Sequence, residues 1–115
     1  YEVDQIVAKV QELGGLAVLA HVDRPAFSYT AALGPMPPDY PADAFELSCR
    51  LNFDQAAEWR NMYPDRTFIR SSDSHMLDGM SRANCTKMTL EEPTFEEIRK
   101  AIRGEDGCRI SWPWG

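Results

Sequence analysis

Apolar residues at the start of the chain recur with a helical period. Val3, Ile6, Val7, Val10 and Leu13 fall at i, i+3, i+4, i+7 and i+10, one face of an amphipathic helix. Gly14-Gly15 then offers the backbone freedom that ends a helix. Residues 16–20, Leu-Ala-Val-Leu-Ala, form a continuous apolar run. Such a run predicts a strand buried on both faces, which favours a parallel sheet with helical crossovers.

The pattern breaks over residues 21–41. Pro25, Pro35, Pro37, Pro38 and Pro41 exclude a long helix or central strand there. A helical turn over residues 27–33 fits between them. The stretch reads either as a lid or specificity loop that starts at His21, or as a surface excursion packed by Phe27, Tyr29 and Tyr40.

Periodicity resumes with a predicted strand over residues 44–48. Asn52 suits the cap of a helix running to Tyr63, with Phe53, Ala56, Trp59 and Tyr63 inward. Pro64-Asp65 stops it. Residues 67–71 predict a third strand, 72–83 a polar loop and 85–90 a fourth strand. Thr94 and Glu97 have the spacing of a capping box, with Phe95, Ile98 and Ile102 as the buried face of the helix that follows. Gly104 and Gly107 end it, and residues 108–111 predict a last strand. Trp112-Pro113-Trp114 is expected to pack as a cover. Alternating helices and strands predict α/β layering with mostly parallel strands.

The length of 115 residues suits one small domain or a piece of a larger one. The chain opens on Tyr1 directly in a helical pattern, so a trimmed fragment is expected. With 43% apolar and 26% charged residues, a packed core is expected. No apolar run reaches the roughly 20 residues of a membrane span. Cys49, Cys85 and Cys108 are odd in number, lack a Cys-x-x-Cys spacing, and read as reduced thiols of a cytoplasmic protein. The net charge of −6 argues against a phosphate-tracking nucleic-acid binder. It leaves room for a small phosphorylated substrate if a divalent metal reverses the local sign.

The chemistry concentrates at two strand ends. His21 follows the first apolar run, and Ser71-Ser72-Asp73-Ser74-His75 follows the third strand. The chain has only these two histidines. Side chains just past the C-terminal ends of parallel strands share a crevice, and Asp-x-His supplies two ligand types within one turn. Taken singly, His21 reads equally as a core-edge histidine, and Asp73 and His75 as ordinary loop residues. Arg24 is a candidate phosphate clamp; its bland alternative is pairing with Asp23 or Asp39. Glu46 is a candidate acid or partner to a ligand. Ser71 and Ser72 read as turn formers rather than nucleophiles.

Gly14-Gly15-Leu16-Ala17-Val18-Leu19-Ala20-His21 and Ser71-Ser72-Asp73-Ser74-His75 resemble two motifs of the PHP (polymerase and histidinol phosphatase) domain family. Residues 85–102 resemble its closing strand and helix. The resemblance implies a distorted (β/α)7 TIM-like barrel, of which residues 1–115 would be the C-terminal portion, with the N-terminal half of the barrel as missing partner. It implies His21, Asp73 and His75 as metal ligands, Asp73 and His75 as catalytic residues, and Arg24 as a substrate contact. The ions would be zinc, manganese or iron, up to three in the full domain. His21 is followed by Val22 where many members have proline, and the family's first His-x-His motif is not in this sequence. The expected activity is therefore metal-dependent phosphoesterase action of the full-length parent on a small phosphorylated substrate, with the fragment alone inactive. The alternative is a non-catalytic scaffold or partner-binding domain. A sheet edge left open would favour self-association.

Overall fold

Three short parallel strands hold the core of the computed structural model, which describes residues 1–112. β1 (Val18–Leu19), β2 (Ala44–Leu47) and β3 (Phe68–Arg70) pair in that order. Val18 stands opposite Ala44, Phe45 opposite Phe68, and Leu47 opposite Arg70. β2 is central. Because side chains alternate, Phe45 and Leu47 share one face and Ala44 lies on the other. Phe45, Leu47 and Val22 are all fully buried. Burying an apolar side chain of this size contributes roughly 1.5–3 kcal/mol. The Phe45 and Phe68 rings meet at 5.7 Å, and Tyr63 reaches Phe68 from the helix side.

The expected barrel is not what forms. A second sheet holds β4 (Lys87–Thr89) and β5 (Arg109–Ser111), and this pair is antiparallel. The described residues make a small mixed α/β unit, with a three-stranded parallel sheet and a separate two-stranded one. Two features of the chain account for this. The proline-rich stretch puts only α2 (Tyr29–Leu33) between β1 and β2. After β3 the chain leaves the sheet in a long loop, and β4 then takes β5 as its ladder partner rather than extending the parallel order.

The helices follow their caps. α1 (Val3–Glu12) begins at Glu2, whose backbone N–H donates to the Gln5 side chain at 3.0 Å while its carbonyl accepts the Gln5 amide at 3.1 Å. α3 (Phe53–Met62) begins at Asn52, which accepts from the Gln55 amide at 2.9 Å while Gln55 returns a bond. α4 (Phe95–Arg103) starts where Thr94 accepts the Glu97 amide. Here the reciprocal half of the predicted box is missing. The Glu97 carboxylate turns instead to the Glu91 amide, Lys100 and Cys108. Gly104 closes α4 in the left-handed region, at φ 66, where a Cβ would be strained.

Predicted inward faces were partly wrong. Ala56 and Tyr63 are buried, but Phe53, Phe95, Ile6 and Leu13 are exposed. Within the proline-rich stretch, Met36 and Tyr40 are buried and Tyr29 packs edge-on against Tyr40 at 4.9 Å. The Tyr63 hydroxyl donates to the Met36 carbonyl, and the Arg66 Nε to that of Pro38. Tyr40 donates to Asp4; burial and that carboxylate push its hydroxyl up to about 12. The stretch is thus a packed excursion, with Phe27 as its outward tip. Trp112 is buried and lies under Arg60; Pro113 and Trp114 are outside the described residues. Among those residues no helix is long and apolar enough to cross a membrane.

Candidate functional site at the strand ends

β1 and β3 run parallel on either side of β2, so the residues that follow them emerge at one edge of the sheet. Glu46 on β2 joins the two exits. Its Oε2 accepts the His21 backbone N–H at 3.1 Å, and its Oε1 accepts the Ser71 hydroxyl. The Val22 amide adds a bond to the Glu46 carbonyl at 2.9 Å. The sequence reads Glu46 as an acid or as a hydrogen-bond partner to a ligand; its carboxylate is engaged by protein donors at both oxygens, the His21 backbone N–H and the Ser71 hydroxyl.

His21 and Asp73 share an uncommon backbone. Their φ values are 29 and 51, in the left-handed region that non-glycine residues rarely adopt. Such conformations cost of order 1–3 kcal/mol and persist where the surroundings enforce them. The enforcing contacts are visible at both. Glu46 grips the His21 amide. Arg24 Nη1 grips the Asp73 Oδ2 at 3.2 Å. Arg24 therefore pairs with neither Asp23 nor Asp39 but with the expected ligand Asp73. Asp23 instead receives the amide and hydroxyl of Ser48, which ties the β1 exit to the β2 exit.

The two imidazoles differ. His75 Nδ1 lies 3.0 Å from the Asp73 carbonyl oxygen. A carbonyl only accepts, so this nitrogen is the donor, and Nε2 is the ring nitrogen left facing outward. The His75 side chain is exposed. His21 Nδ1 is buried and has no hydrogen-bond partner among the described residues. Orphaned buried nitrogens are rare and mark a site where a partner is wanted.

The structure brings Asp73 to Arg24, His75 onto the Asp73 backbone, and His21 and Ser71 onto one carboxylate. It does not gather His21, Asp73 and His75 into a metal-holding group: among the described residues no three His, Cys, Asp or Glu side chains form one. The donor types suit a divalent ion, but their grouping as it stands does not fit one.

Sequence reasoning missed the joint at the base of the loop after β3. Arg70 donates its amide to Thr86 Oγ1 at 2.6 Å, and its carbonyl accepts the Thr86 amide at 2.9 Å and hydroxyl at 3.0 Å. Residues 71–85 thus leave and return at one point, as an Ω-type loop does. The buried Arg70 guanidinium also holds the Cys49 and Leu51 carbonyls. A charged residue at the end of a short strand was the available signal.

No protein-family model matches the chain. A Bacillus subtilis (strain 168) protein, uncharacterized protein YqxK, is 28% identical over 116 residues, which is 93% of this chain and 28% of the relative. Among solved structures, Endonuclease Q in complex with a 27-mer duplex substrate carrying an abasic lesion at the active site matches with a TM-score of 0.73. That match has 24% identity and covers 93% of this chain and 28% of that one. The chain spans little more than a quarter of either protein.

The structural likeness is a likeness of fold, and it corrects three expectations. It supports the mixed α/β unit in place of the TIM-like barrel. It points away from a small-substrate phosphoesterase, since the neighbour is an endonuclease held on duplex DNA. It removes the argument that acidity excludes nucleic acid. A net charge of −6 is a sum over all 115 residues, whereas DNA contact depends on where the cations stand.

Proposed function

We propose that this chain is a segment of a DNA-acting, nuclease-related enzyme, and that its strand-end edge meets the DNA backbone. The observation that carries the reading is the fold shared over 93% of the chain with Endonuclease Q on lesion-bearing duplex DNA. The local chemistry agrees with it. Arg24 presents a planar cation suited to phosphate oxygens. His75 presents an exposed imidazole whose Nδ1 is held by the Asp73 carbonyl, which leaves Nε2 for a substrate or a ligand. The PHP resemblance belongs to this proposal too, with His21, Asp73 and His75 as ligands of zinc, manganese or iron. Because these three do not group by themselves, that part requires further ligands from outside the chain.

The test is a nicking assay with the protein that contains this chain. The substrate is a labelled duplex with one abasic site, and the control is the same duplex intact. Cleavage at the lesion is expected, with loss of at least 100-fold in Asp73→Ala and His75→Ala variants that keep the wild-type circular dichroism, in line with removal of a proton-transfer group. A folded protein that neither binds nor cuts either duplex, with each metal supplied in turn, contradicts the reading. Binding without cutting would favour the second reading, a non-catalytic DNA-binding domain. The Arg24–Asp73 pair supports that alternative, because it leaves Asp73 neutralised by a side chain.

A further inference from the structure

The loop over residues 71–85 carries more than the candidate chemistry. Its base is fixed by the Arg70–Thr86 bonds. Ser71, bound by Glu46, and Asp73, bound by Arg24, anchor its first arm. Beyond these it projects an apolar tip. Met76, Leu77 and Met80 are 73%, 89% and 68% exposed, although apolar side chains of this size are ordinarily buried. The tip has defined structure. A 3₁₀ turn spans Leu77–Gly79, with the Gly79 amide on the Met76 carbonyl and the Met80 amide on that of Leu77. Ser74 Oγ bonds both the amide and the carbonyl of Met76. Gly79 approaches Ser74 so closely that a Cβ there would lie 2.4 Å from Ser74 Oγ. The backbone is braced while the large side chains are left in solvent.

The charge around the tip departs from that of the chain. From residue 71 to residue 87 the charged residues are Asp73, Asp78, Arg82 and Lys87. Two cations against two anions give 0, against −6 for the whole chain, and Asp73 is already paired with Arg24. Arg82 and Lys87, both exposed, line a hollow of about 420 Å³ with Cys85 and Thr86 at the loop base. A braced apolar tip beside exposed cations matches what a DNA duplex presents at a helix defect. Unstacked base faces accept Leu and Met wedges, and the flanking phosphates accept cations.

From this arrangement we infer that residues 76–80 form a wedge that enters a DNA duplex where a base is missing, with Arg82 and Lys87 on the adjoining phosphates. The inference rests on the DNA reading above and names the part of the surface that selects damaged duplex. The wedge enters a gap more cheaply than an intact stack, because the unstacking cost is already met by the missing base. The tip lies on the same loop as Asp73 and His75 but uses different side chains, so lesion preference and cutting should respond differently to substitution.

The test uses fluorescence anisotropy with two duplexes, one carrying a stable abasic analogue and one intact. The proteins are wild type, a Met76→Ser/Leu77→Ser/Met80→Ser variant, a milder Leu77→Ser variant, and an Arg82→Gln/Lys87→Gln variant. Wild type should prefer the abasic duplex. The triple variant should lose that preference by on the order of tenfold while keeping its affinity for intact duplex. Leu77→Ser should lose part of it. The Arg82/Lys87 variant should weaken both duplexes equally and flatten the salt dependence by a slope of about 2. An unchanged preference in the tip variants overturns the inference and leaves the DNA reading intact. A tip variant with a markedly lowered melting temperature also overturns it, since the tip would then be a packing surface. If wild type binds neither duplex, both fall.

Discussion

The parallel sheet and the β4–α4–β5 unit are held together by different physics. Around β2 the cohesion is apolar: Phe45, Leu47, Val22 and Phe68 are buried, and Tyr63 and Trp59 pack from α3. In the second unit the strands are largely solvent-facing. There a polar clasp centred on Glu97 adds to the buried Ala101, Ile102 and Cys108. Cys108 Sγ and Lys100 Nζ each approach that carboxylate at 3.0 Å, and the Glu91 amide at 3.2 Å. Thr67 Oγ1 links the two regions through the Ile102 carbonyl. The apolar sheet is a rigid base that ends in strained, polar loop residues. The clasped unit is a flank whose hold depends on a charge. The difference predicts that stability, acid sensitivity and ligand response will map to different places.

The largest effect should come from the sheet. Phe45→Ala should cost about 3–5 kcal/mol, because it opens a cavity at the centre of β2, as read by urea denaturation. A loss below about 1 kcal/mol would mean that the core lies elsewhere. The clasp should govern acid behaviour instead. The Cys108 thiol, the Lys100 ammonium and the Glu91 amide hold the Glu97 carboxyl at about 2, against an ordinary value of 4.5. A depressed folded value means that the stabilisation is fully present above about 4.5 and is lost as pH falls toward 2. Glu97→Gln should therefore flatten the acid limb of the stability curve between those values. An acid limb unchanged by this substitution would break the contrast.

A smaller effect is expected at the start of α3. Asn52→Ala removes the acceptor for the Gln55 amide and should cost about 1 kcal/mol. The smallest effect on stability belongs to the candidate site. Arg24→Ala breaks a partly exposed ion pair with Asp73, which is worth about 0–1 kcal/mol in stability. DNA affinity should nevertheless fall clearly. A variant that melts much earlier than wild type would make Arg24 a structural residue.

Much of the element order was legible. The 3.6-residue period of α1, the Asn52 cap, the apolar run of β1 and the 44–48 pattern of β2 each settled an element within a residue or two, although Ile6, Leu13, Val18 and Phe53, expected inward, are exposed. The arrangement of sheets was not legible. Nothing local in residues 85–90 or 108–111 says that these strands pair with each other antiparallel. The capping box at Thr94 failed for a related reason. The Thr94 amide, the donor a capping box would give Glu97, goes to the Glu92 carbonyl, and the Glu97 carboxylate binds Cys108, Lys100 and the Glu91 amide.

At the candidate site the residue types were legible and their partners were not. His21, Asp73 and His75 were placed past strand ends by pattern, with Arg24 three residues beyond His21 and Glu46 on the second strand. The Arg24–Asp73 pair spans 49 positions, and the Glu46–His21 bond spans 25. Separations of that kind come only from the fold. The left-handed backbone at His21 and Asp73 was equally hidden, since neither residue is the glycine that would announce it.

The most direct measurement is hydrogen exchange by mass spectrometry on the protein that contains this chain, with and without an abasic-site duplex. The account predicts new protection at residues 21–24 and 71–86, with α4 and β5 unchanged. Protection confined to α4 and β5, or none anywhere at saturating duplex, would contradict the claim that the sheet's strand-end edge is where DNA is met.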